Sequence, residues 1–175
     1  MNEWQSLGRF KVGRAKLVLE DFMAPSALGL TEAIITAEEF EYDHETNQLK
    51  MAFGTAEISI SESSLERLIT SHIGSSASEI QVEMTGGHIV ITGKFRVLIA
   101  SVPFRVVGTL IIEERTRLLF RLIEATPAEG IIKAQLAKIN PLFDVNALNL
   151  PLQLYLDKAE ILEHTLQIFA SARTR

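Results

Sequence analysis

The sequence predicts an α+β fold: a long twisted antiparallel β-sheet, a meander, curled around two amphipathic helices. Three observations predict it. From residue 79 onward apolar and polar residues alternate over short runs, the period-2 pattern of half-buried strands. Turn signals such as Gly86-Gly87 separate those runs at the spacing of an antiparallel meander. Two stretches, 61–73 and 129–143, switch to the helical period.

Composition sets the outer bounds. The chain has 175 residues, read as one domain over 1–175 with a loose start at 1–8. Hydrophobic residues make up 47% and charged residues 22%, which suits a packed core and not a disordered chain. The net charge is −5, so no nucleic-acid partner is expected. The absence of cysteine excludes disulfide frameworks, thiolate metal sites and cysteine nucleophiles. The first sixteen residues are polar, with no apolar signal-peptide core, and no run is long enough to span a bilayer. The expectation is a soluble chain, cytoplasmic or peripheral to a membrane.

In chain order, Arg9 to Phe22 alternates imperfectly and reads as a first strand carrying the basic run Arg9, Lys11, Arg14 and Lys16. Residues 23–30, with Pro25 and Gly29, read as a connection. Thr31 to Tyr42 is a strand, 43–48 a turn with Asn47 at positive φ, and Leu49 to Ser59 the returning arm, with a bulge or bend expected at Gly54. That arm runs straight into a helix. Ser61 reads as its N-cap and Glu62 suits the positive end of the dipole. Leu65, Leu68, Ile69 and Ile73 make one apolar stripe, and Gly74 ends the helix.

Further strands follow at Glu79 to Thr85, His88 to Ala100, Phe104 to Glu113 and Arg117 to Ala125. Thr126-Pro127 stops the last of them. The second helix runs from Glu129 to Phe143 with the stripe Ile132, Leu136, Ile139 and Phe143, and Pro141 implies an early stop or a kink. Leu150 to Asp157 and Thr165 to Ala172 close the chain.

The central strands also carry apolar residues on their second face: Val90 and Leu98, Val107 and Ile111, Leu119 and Ile123. A one-sided antiparallel sheet should be polar there. Two readings compete: both faces are covered, or the sheet rolls around an apolar groove that takes a hydrophobic ligand.

No residue set spells out a reaction. His44, His88 and His164 fall at turns, His72 sits at a helix C-terminus, and no pair has metal spacing, so no metal is expected. The acidic run Glu38, Glu39, Glu41, Asp43 and Glu45 lacks the pattern of a calcium loop. Ser61, Ser63 and Ser64 lack a nucleophile elbow. The basic run at 9–16 is a candidate membrane-surface strip, but Glu20 and Asp21 follow at once and favour a solvated strand.

From Glu57 to Ala172, about two thirds of the chain, the sequence resembles the LmeA-like phospholipid-binding family, a bacterial domain of unknown function. The matching pieces come in the family's order: ISISESSLERLI (58–69), IQVEMTGGHIVITGK (80–94), IIKAQLAKINPLF (131–143) and LNLPLQL (148–154). The resemblance implies a twisted antiparallel sheet wrapped about one or two helices, similar to one half of the tubular lipid-binding proteins. It also implies a phospholipid or other amphiphile as ligand, and supplies no catalytic motif. Family members often carry an export signal or membrane anchor, and neither is visible here.

The reading is therefore a non-enzymatic carrier of a lipid or other hydrophobic small molecule, with peripheral membrane contact and no cofactor. Its groove would be lined by Leu65, Leu68, Ile69 and Ile73 from the first helix and Ile132 and Leu136 from the second. Val90, Leu98, Val107, Ile111, Leu119 and Ile123 would complete it from the strands. The alternative is a protein-interaction or oligomerisation domain using the second face of the sheet. A small enzyme ranks last, because the interior faces lack titratable groups. The sequence leaves the oligomeric state open.

Overall fold

A computed structural model of the chain describes residues 9–23, 28–43, 46, 48–50, 52–97, 100–127, 130, 134, 137, 139–148 and 152–174. Among these residues eleven strands fall into two sheets, where a single meander was expected. They are β1 (Arg9–Met23), β2 (Gly29–Asp43), β3 (Gln48–Lys50), β4 (Phe53–Ser61), β5 (Ala77–Thr85), β6 (His88–Val97), β7 (Ala100–Glu113), β8 (Arg117–Thr126), β9 (Phe143–Asp144), β10 (Leu152–Ile161) and β11 (Thr165–Thr174). The six-stranded sheet has the order β1-β2-β4-β11-β10, with β3 also pairing β2. The five-stranded sheet is a true meander, β5-β6-β7-β8-β9. Every pairing is antiparallel.

The single helix described along its length, α1 (Glu62–Ile73), divides the two sheets in sequence. Its start follows the reading of Ser61. That residue is extended at φ −84°, and its Oγ accepts the Ser64 N–H at 3.3 Å. Gly74 closes the helix at φ +60°, a conformation that L side chains rarely adopt, and its N–H bonds the Thr70 carbonyl. Gly130, Ala134, Ala137 and Ile139 are also helical, and residues 129, 131–133, 135, 136 and 138 of the expected second helix lie outside the described residues. That helix does not reach Phe143. Asn140 is non-helical and Phe143 belongs to β9, where it pairs beside Leu118. Among the described residues the fold thus has one continuous helix and not two.

Alternation builds the core. In β4, Gly54, Ala56, Ile58 and Ile60 are buried while the residues between them are not. Register extends that face to Ala33, Ile35 and Ala37 of β2 and to Leu166, Ile168, Ala170 and Ala172 of β11. Gly54 is a regular paired position, opposite Ala37 and Ala172. The interruption expected there falls instead between Lys50 and Phe53. In the other sheet Ile80, Val82 and Met84 of β5 join Ile89, Ile91 and Phe95 of β6, Phe104 and Val106 of β7, and Leu118 and Phe120 of β8. Phe95 and Phe104 stack with ring centroids 4.2 Å apart. The inner faces of both sheets and the α1 stripe merge into one cluster.

Strand edges are open templates for further pairing unless something blocks them. The edge of β5 is blocked at Met84, whose N–H donates to Glu62 Oε1 at 2.6 Å and whose carbonyl accepts the His164 N–H at 3.1 Å. The edge of β8 is blocked by β9 and by the Asn140 side chain. That amide accepts the Phe120 N–H at 2.9 Å and donates to the Phe120 carbonyl at 3.0 Å. The edge of β10 meets the five-stranded sheet, where the Leu156 N–H donates to the Arg115 carbonyl at 2.6 Å. Among the described residues no strand pairs with the outer edge of β1.

Candidate functional site

The α1 stripe is core. Leu65, Leu68, Ile69 and Ile73 are buried among the sheet side chains, and α1 packs on β5, β2 and β4. None of the four is on the walls of the two clefts described below. Ile132, Leu136 and Leu98 lie outside the described residues.

The second-face residues do come together, but on the opposite side of the sheet from α1. Val90 stands opposite Val107 and Ile111 opposite Leu119. Val90, Val107 and Leu119 are half-buried, whereas Ile111 and Ile123 are 36% and 53% exposed. Ile123 is the extra residue where the β7–β8 register shifts. Charges and hydroxyls interrupt the patch. Thr92 stands opposite Arg105 and Thr109 opposite Arg121, and Arg105 lies 3.9 Å from Glu124. Because strand side chains alternate, the residues packed beneath α1 and this set occupy two faces of one sheet, with Val90 alone of the set also reaching a cleft that α1 shares.

Two of the clefts between described residues are polar. One, of about 340 Å³, lies between α1 and β5–β6, with Glu62, Glu66, Gln81, Glu83, Val90 and Thr92 on its walls. His164 Nδ1 lies 3.2 Å from both oxygens of the Glu62 carboxylate. The other, of about 460 Å³, is walled by Glu20, Asp21, Thr31, Glu32, Ser59 and Thr165. Neither is an acyl-chain pocket. Among the described residues no group of three His, Asp or Glu side chains could hold a metal ion. No described helix is long and apolar enough to cross a membrane.

The most exposed apolar surface is on β1, which the sequence reading did not single out. Leu17 is 52% exposed, and Val12, Val18, Phe22 and Met23 are exposed with it. Their signal was present as the run Leu17-Val18-Leu19, which puts apolar side chains on both faces of one strand. Ala15, Leu17 and Leu19 stand opposite Ala37, Ile35 and Ala33. Ala33 and Ala37 are buried, and Ala15, Leu19 and Ile35 are half-buried against the core. The inner face of the six-stranded sheet therefore continues past its covered part to an open apolar shelf ending at Leu17.

No family model, curated protein or solved structure matches the chain.

Proposed function

We propose that this chain binds a lipid or other amphiphile, without catalysis, on the apolar shelf formed by β1 and β2. The observation that carries this reading is the continuity of Ala15, Leu17, Leu19 and Ile35 with the buried core while Leu17 itself stays largely exposed. An apolar surface left open at the end of a curled sheet is the arrangement that a hydrophobic ligand covers. Each methylene placed against it contributes about 0.8 kcal/mol. Exposed Lys11 and Lys16 lie on the same strand and supply charge for an anionic headgroup. The resemblance to LmeA-like phospholipid-binding proteins points to the same ligand class. In this reading the α1 stripe holds the fold, and the shelf takes the place of the groove expected around α1.

The test is native mass spectrometry of the purified chain, then co-sedimentation with anionic phosphatidylglycerol vesicles and with phosphatidylcholine vesicles. A bound phospholipid, or vesicle binding lost in Leu17→Asp, supports the reading. A ligand-free chain that ignores both vesicles sinks it.

A further inference from the structure

We propose that this chain forms a two-fold dimer in which the free edge of β1 pairs antiparallel with the same edge of a second copy, making one continuous sheet across two protomers.

The edge is long and regular. The register of β1 with β2 runs without a shift from Arg9 opposite Asp43 to Glu20 opposite Glu32, and the first positive φ in β1 is at Asp21. The molecule blocks its other edges with a carboxylate, an amide, a two-residue strand and a hairpin turn, and leaves this one, the longest, without a strand partner among the described residues. Val12, Leu17 and Val18 stand exposed along it. A flat, exposed apolar edge is a surface that another strand covers.

Charge decides what kind of strand. The first half of β1 is basic, with Arg9, Lys11, Arg14 and Lys16, and the second half carries Glu20 and Asp21. Arg14 is matched within the chain by Glu38, at 2.9 Å. Lys11 and Lys16 form no ion pair among the described residues, and neither do Glu20, Asp21 and Glu32. Those three acids wall one cleft, and Glu20 stands directly opposite Glu32, a like-charge placement that destabilises a strand pair. An antiparallel two-fold copy centred on Lys16 sets Lys11 of each strand opposite Asp21 of the other, twice by symmetry, and leaves only the two Lys16 side chains as a like-charge pair at the axis. The two ends of the strand complement one another, so the occupant the edge fits is a second copy of this chain. The pairing uses backbone amides and charge and does not require lipid on the shelf.

The test is sedimentation equilibrium of the full chain at low and high salt, with hydrogen exchange across β1. The expected result is dimerisation that weakens with salt, with β1 amides protected in concentrated samples and exchanging faster on dilution. Lys11→Glu/Lys16→Glu and Glu20→Lys/Asp21→Lys should each weaken self-association by about tenfold or more. Mixing these two variants should restore a heterodimer, which a folding defect in either could not do, and circular dichroism checks each fold separately. A chain that stays monomeric at every concentration overturns the proposal, as does a dimer whose β1 amides stay unprotected. So does β1 protection that arises only when vesicles are added, which would give the edge to a membrane instead.

Discussion

Removing the Glu62 carboxylate should cost far more than removing the His164 ring it faces. Glu62 opens α1, where a negative charge is worth about 0.3–1 kcal/mol. Its Oε1 also accepts the N–H of Met84, a fully buried residue of the β5 edge, at 2.6 Å. A hydrogen bond to a charged acceptor contributes about 1.5–3 kcal/mol, and without it a buried amide is left unsatisfied. The Glu62 side chain is 25% exposed, which favours the lower part of that range. The sum for Glu62→Ala is about 2 kcal/mol, or a fall in Tm of about 4–8 °C for a chain of this size. Glu62→Gln keeps an acceptor oxygen and should lose about 1 kcal/mol or less. The His164 ring, 70% exposed, makes only a surface contact, so His164→Ala should change stability by less than about 0.5 kcal/mol. Urea unfolding followed by circular dichroism measures all three. If Glu62→Ala were no worse than His164→Ala, the carboxylate would not be joining α1 to the β5 edge and the reasoning would be refuted.

Four further outcomes follow from packing, hydrogen bonding and exposure. Gly108→Ala should destabilise by about 1–3 kcal/mol in the same assay, because its Cβ would sit 2.2 Å from the Phe120 ring and 2.7 Å from the Arg121 carbonyl. Asn140→Ala should cost about 2 kcal/mol through its two hydrogen bonds to Phe120, and the Phe120 amide should exchange faster by NMR; an unchanged rate there would show that the edge is blocked by something else. Leu68→Asp should abolish cooperative unfolding, since it buries an unpaired charge beneath α1. Ile123→Asp, on the exposed outer face, should leave the unfolding curve within about 0.5 kcal/mol of the parent.

Local physics made much of the fold legible. The Ser61 cap, the Leu65–Ile73 stripe, Gly74 and the Gly86-Gly87 turn (φ +56° and +78°) all depend on residues within a few positions of one another, so reading them needs no distant contact. Which residues were core was legible too, because alternation tells which side chains share a face. Alternation does not tell what covers a face. That is why the α1 stripe and the outer residues Val107 and Leu119 were read as one groove, when they lie on opposite sides of a sheet.

The sequence by itself determined the strands, the capped helix and the antiparallel character, since propensity, capping and turn chemistry act over short range. Only the tertiary structure decided that the strands split into two sheets. It alone placed β4 beside β11, more than a hundred residues later, set Glu62 against Met84 and His164, and left the outer edge of β1 without a strand partner among the described residues. Those outcomes depend on which distant strands meet. Strand pairing is made by backbone amides that every residue carries, so a strand's own sequence does not name its neighbour.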